Sequence, residues 1–137
     1  MPEFHQSPVT DLWVALGGGL GATVRYLLGS WIFLWAPPGF PWPTLTVNVL
    51  GSALLGMLAQ GLTAPSASPQ TRGFLAIGFC GGFTTFSAFD LDTLILLQDA
   101  RYGLAGLYSL GSVTTCIAGV MVGSWVAGGK RPSPGVE

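Results

Sequence analysis

Asn48, Phe86 and Phe89 are the residues whose types and spacing could do chemistry in this chain. All three fall inside apolar segments, where water does not compete for them. The Asn48 carboxamide, set in Thr46-Val47-Asn48-Val49, offers two N–H donors and one carbonyl. Phenylalanine ring edges carry partial positive charge. An amide donor and two ring edges facing a narrow passage would stabilise a small anion less tightly than a lysine. Conduction needs that balance, strong enough to enter and weak enough to leave. Thr84, Thr85 and Ser87 place hydroxyls beside the rings. Tyr108, Ser112 and Cys116 recur at intervals of four and share one helical face, a second candidate lining. Each group also has a plainer reading: interhelical glue for Asn48, lipid contact or packing for the phenylalanines, and hydroxyls bonded back to their own helix.

The segment that must position the rings is Gly78-Phe79-Cys80-Gly81-Gly82-Phe83-Thr84-Thr85-Phe86-Ser87-Ala88-Phe89. It lies in a stretch long enough to cross a bilayer, yet it is rich in glycine, threonine and serine. A helix is weak there, and an interruption near Gly81 is expected. Carbonyls freed at membrane depth are tolerated only where they meet protein, water or an ion.

Composition makes the membrane the solvent. Half of the residues are hydrophobic and only 8% are charged, against about 25% in soluble domains. A net charge of -1 gives no basic footprint for nucleic acid. Spanning takes roughly 20 apolar residues, and four segments qualify: about 12–35, 44–63, 71–97 and 102–127. The whole of 1–137 is read as a single all-α membrane domain. Pro37, Pro38, Pro41 and Pro43 separate the first two spans, and Pro65 and Pro69 the next two. The polar residues Met1 to Asp11 do not resemble a cleaved signal peptide, and His5 among them reads as solvent-exposed.

Four crossings put both termini on one side. Arg72, Lys130 and Arg131 then face Arg101 across the membrane. This bias is weakly inward for the termini and permits insertion in both orientations. Gly17 with Gly21, and Gly119 with Gly123, form GxxxG pairs that serve either packing within one chain or an interface between chains. Arg25 lies inside the first span, where an arginine costs about 2.5–3.5 kcal/mol. It either snorkels to the nearer interface or lines an aqueous vestibule that attracts anions. Cys80 and Cys116 read as small packing residues, because two cysteines without nearby histidines make no metal site.

Three motifs carry a resemblance to the Fluc (CrcB) family of fluoride ion channels: Gly21-Ala22-Thr23-Val24-Arg25-Tyr26, Thr44-Leu45-Thr46-Val47-Asn48-Val49-Leu50-Gly51 and Gly81-Gly82-Phe83-Thr84-Thr85-Phe86-Ser87-Ala88-Phe89. The resemblance covers about Gly17 to Gly123. It implies an antiparallel (dual-topology) homodimer in a cell inner membrane, multi-pass, enclosing two narrow pores. It implies a central structural sodium ion held by backbone carbonyls matching Gly81 and Thr84 of both chains. Asn48, Phe86 and Phe89 match positions that line the fluoride path. Tyr108 and Ser112 match further lining positions, and Arg25 matches the basic residue of the first span. Ala88 stands where threonine is common, Asp90 where serine is usual, Asp92 where glutamate is usual, and Cys116 replaces a hydroxyl residue.

The expected activity is passive export of fluoride, with no catalytic residue. The competing reading is a small four-span, proton-coupled exporter of cationic drugs. It lacks the acidic residue that such a protein needs deep in its first span, where this chain has Arg25.

Overall fold

The computed structural model describes residues 7–128; His5, Lys130 and Arg131 lie outside them. Four helices within these residues are long and apolar enough to cross a membrane. The first, α1 (Pro8–Trp35), starts ahead of the apolar pattern. Ser7 caps it by accepting the Thr10 N–H, and Pro8 occupies the first turn, where its missing N–H costs nothing. The second, α2 (Trp42–Thr63), likewise opens with a proline in its first turn. The last, α6 (Tyr102–Val126), is continuous.

The third span, Pro69–Gln98, is built from four pieces. A short α3 (Pro69–Arg72) leads into a π-helical segment (Gly73–Cys80), then α4 (Gly81–Phe83), a break, and α5 (Phe86–Gln98). Thr84 (φ −86°, ψ 158°) and Thr85 (φ −151°, ψ 118°) are extended. The interruption therefore falls at Thr84–Thr85 rather than near Gly81, which is still helical (φ −64°, ψ −38°). Cys80–Gly82 hold their helix because they are tied to a neighbour, as the packing of α1 explains.

Helix α1 lies along the π segment and α4, and α2 lies along α6. Both contacts run through backbone. A Cβ on Gly17 would strike the Phe74 carbonyl, one on Gly21 the Phe79 carbonyl, and one on Gly82 the Gly18 carbonyl. On the other side, a Cβ on Gly123 would strike the Ala53 carbonyl, and one on Gly56 the Val120 carbonyl. Both GxxxG pairs thus serve packing within the chain, as small residues do in lipid where no hydrophobic effect drives helices together.

Tryptophans mark the boundaries. Trp13 and Trp125 sit at the terminal end of the bundle and Trp31, Trp35 and Trp42 at the other, all exposed. Trp13 to Trp31 spans about 27 Å at the helical rise, close to the hydrocarbon thickness between aromatic belts. At the far end the Arg101 guanidinium lies against Gly39, whose φ of +93° strains any residue but glycine.

Candidate functional site, a groove at a broken helix

The break is held by one side chain. Asn48 Nδ2 donates to the Thr85 carbonyl at 2.9 Å, and the Thr85 N–H donates to Asn48 Oδ1 at 2.7 Å. The carboxamide pairs with the Thr85 peptide group as a neighbouring backbone would. One Nδ2–H is consumed, and the other is left over.

The break frees the carbonyls of Gly81 to Thr84 from their helical donors. In an unbroken helix the Thr85 N–H would bond to the Gly81 carbonyl and the Ala88 N–H to the Thr84 carbonyl. Here the first goes to Asn48 and the second to Thr85 Oγ1, which caps α5 at 3.2 Å. Gly81 and Thr84 are two of the freed carbonyls, and the Phe86 and Ser87 N–H groups make no bond back to the Gly82 and Phe83 carbonyls either. The approach of α2 that makes this pairing possible depends on Gly51, where a Cβ would collide with Thr84 Cγ2 and sit 3.0 Å from Phe83 Cδ1.

A groove of about 460 Å³ runs past the break. Asn48, Gly81, Thr84, Thr85, Phe86, Phe89 and Ser112 line it. Phe86 is 72% exposed, and its ring centroid is 5.3 Å from that of Phe89. Phe89 is half-buried and also touches Tyr108, at 5.3 Å. Ser112 is 5% exposed, and its Oγ has no hydrogen-bond partner.

Other residues singled out in the sequence lie elsewhere. Tyr108 is not on the groove wall. It is 1% exposed, packs in a cluster with Leu96 and Ala105, and donates to Asp92 Oδ2 at 3.3 Å. Ser87 is exposed and pairs with Thr85 Oγ1 at 3.3 Å. Arg25 lines a second groove of about 720 Å³ together with Tyr26, Thr44, Val47, Thr85 and Ala88. Thr85 borders both grooves. Ala88 faces the Arg25 side, so a missing hydroxyl there alters that groove and not the one with the two rings.

The family model described as "CrcB-like protein, Camphor Resistance (CrcB)" matches residues 12–124. The chain belongs to the CrcB family. Curated relatives bear the name fluoride-specific ion channel FluC. That of Agrobacterium fabrum is 45% identical over 111 residues, covering 80% of this chain and 89% of the relative. That of Thermus thermophilus is 49% identical over 102 residues, covering 74% and 80%. That of Novosphingobium aromaticivorans is 44% identical over 113 residues, covering 81% and 90%.

Two features of this CrcB protein were not assigned from sequence. Asp92 is half-buried and accepts from Thr44 Oγ1 at 2.6 Å as well as from Tyr108, joining α2, α5 and α6. Asp90, two residues earlier, is exposed. Gly51 and Ser52 share the groove with Asn48, and their three- and four-residue offsets from it put all three on one helical face. That offset was the available signal.

Proposed function

We propose that this chain forms a passive, fluoride-selective channel in a microbial inner membrane, working as an antiparallel pair of identical chains. The observation that carries the reading is the Asn48 carboxamide fixed by the Thr85 peptide, with Phe86 and Phe89 on the same groove. The relatives' printed name points the same way.

Fluoride is small and tightly hydrated, so a selective path must replace water with donors that are already in place. Asn48 meets that requirement. Its amide plane is set by two hydrogen bonds at 2.9 and 2.7 Å, so its remaining N–H needs no reorganisation when an anion arrives. The edges of Phe86 and Phe89 add weak positive potential. Ser112 borders the same groove, with its Oγ buried beside the Tyr108 hydroxyl. No bond is made or broken, so the chain is not an enzyme. The negative-inside membrane potential drives the anion outward.

The groove supports pairing. Phe86 is 72% exposed beside polar groups, and a ring edge can act on an ion in transit only if a second wall closes the passage. An opposed identical chain would supply that wall, and the weak charge asymmetry permits both insertions.

The Gly81 and Thr84 carbonyls fit a structural sodium ion. Their helical donors are gone, and hard cations take oxygen ligands. Two carbonyls from one chain leave the shell incomplete, and the same pair from its partner would extend it. When bound, the ion would supply positive charge that holds the two breaks together.

The test is fluoride efflux from liposomes carrying the purified protein, read with a fluoride electrode under a potassium gradient, with chloride as control. Fluoride leaving while chloride is retained, without a proton gradient, is the expected result. Equal movement of both anions, or of neither, overturns the proposal.

A further inference from the structure

Asp90 has no part in that scheme, and its place is unusual for a carboxylate. It lies on α5 beyond the break, about 7 Å along the helix axis from Thr85. Gln98 ends the helix about 12 Å further on. Asp90 is therefore well inside the third span, yet it is exposed. Asp92 shows the alternative, since it turns into the bundle and accepts from Thr44 and Tyr108. Asp90 stands about 200° round the helix from Asp92, on an outward face that it shares with Phe86, Leu91 and Leu94. Phe86 is its neighbour one turn earlier, with β carbons about 5–6 Å apart. An exposed carboxylate thus stands beside the exposed ring that lines the groove.

A carboxylate in hydrocarbon is costly, so a group at this depth faces a cation or water. The cations among the described residues lie elsewhere. Arg25 lines a groove with Thr85 and Ala88, and Ala88 is about 200° round α5 from Asp90. Arg101 follows the end of α5, and Arg72 precedes the π segment at the opposite end of the span. An opposed identical chain would bring the terminal halves of its spans to this level, residues 8–20, 54–63, 73–80 and 113–126. These contain no lysine or arginine. Water is what remains.

We propose that Asp90 stands in a water-filled mouth of the fluoride path, and that its charge holds anion entry down. The inference rests on the fluoride reading and adds to it a residue that limits conduction. An anion approaching the Phe86 edge passes a like charge one helical turn away. Two unit charges about 8 Å apart in water change the local population of an ion about two- to threefold, and more where protein displaces water. The effect needs no contact, and salt screens it: the Debye length is about 30 Å at 0.01 M and about 3 Å at 1 M. That dependence separates it from a structural role.

Fluoride efflux is measured for the parent, Asp90→Asn and Asp90→Glu in liposomes holding about 0.01 M potassium fluoride, with and without about 1 M potassium gluconate. Asp90→Asn should raise the rate about two- to threefold or more at low salt and leave it unchanged at high salt. Asp90→Glu should keep the parent rate at both. A gain that is absent at low salt, or equal at both salts, overturns the proposal. A second measurement does not depend on transport. Asp90→Cys in liposomes is treated with a membrane-impermeant, positively charged thiosulfonate, and the parent is the control for Cys80 and Cys116. Labelling of Asp90→Cys beyond the parent supports the wet mouth, and no added labelling overturns it. Absent efflux in the parent counts against the fluoride reading and takes the charge effect with it, while the labelling still decides where Asp90 stands.

Discussion

Asn48 and Thr85 are joined by two hydrogen bonds, Nδ2–H to the Thr85 carbonyl at 2.9 Å and the Thr85 N–H to Oδ1 at 2.7 Å. This side chain closes the backbone accounting that a broken helix leaves open in lipid. It also leaves one oriented donor on the groove. Asn48→Asp keeps the acceptor, loses both donors, and sets a carboxylate against the Thr85 carbonyl. Fluoride efflux from liposomes should vanish. Thermal unfolding in detergent should report a loss of about 1–3 kcal/mol for the orphaned carbonyl. Full efflux with unchanged stability would show that neither role is real.

Phe86 and Phe89 should separate by their surroundings. Phe86 is 72% exposed and Phe89 packs on Tyr108. Phe86→Ile keeps apolar bulk and removes the ring edge, so efflux should fall at least about tenfold if the ring quadrupole matters, with stability nearly unchanged. Phe89→Ile should lower both, the stability part being about 0.5–1.5 kcal/mol from the lost aromatic pairing. Normal efflux in Phe86→Ile would exclude the ring-edge mechanism.

The sequence shows that the third span must break and that Asn48 is a donor at depth, because composition alone makes a helix through Gly81 to Phe89 weak. It does not show where. Propensity places the weak point on the glycines, but Gly78 and Gly82 are held against α1, where a Cβ would meet the Val14 and Gly18 carbonyls. Tertiary packing keeps that turn helical and passes the break to Thr84–Thr85. The same limit hides the bond from Thr44 to Asp92 across 48 residues, since no periodicity encodes a contact between separate spans. The burial of Tyr108 is hidden for a related reason. A shared helical face fixes direction, but the rings of Phe40 and Phe89 that cover Tyr108 come from other parts of the chain.

Gly51 is the clearance on which the Asn48–Thr85 pairing depends. Gly51→Ala drives a methyl into Thr84 Cγ2 and against the Phe83 ring. Overpacking of this kind costs about 1–3 kcal/mol, and the side chain that must yield first, Thr84, belongs to the break that Asn48 holds. Efflux should fall with stability. Gly61→Ala, which meets nothing within 4 Å, is the matched control and should leave both unchanged.

Thr85 binds twice over. Its backbone pairs with Asn48, and its Oγ1 accepts the Ala88 N–H at 3.2 Å to start α5. Thr85→Val keeps shape and removes the cap, which should cost about 1 kcal/mol. Thr85→Ser should restore most of it. If Thr85→Val is as stable as the parent in thermal unfolding, water or another group is capping α5 and the hydroxyl is free for the groove.

Ser112 offers the sharpest separation of folding from transport. A buried hydroxyl with a partner stabilises a fold and one without a partner costs desolvation. Ser112 Oγ is buried beside the Tyr108 hydroxyl with no hydrogen bond of ordinary geometry, and the residue lines the wall that Asn48 and the rings share. A hydroxyl kept for packing alone would be better replaced by hydrogen. Ser112→Ala should therefore raise thermal stability, by about 1 kcal/mol at most, while lowering fluoride efflux. Opposite signs on the two readouts identify a group retained for the ion. A drop in both would mean that Ser112 has a structural partner in the assembled protein, and a rise in stability with efflux unchanged would remove it from the path.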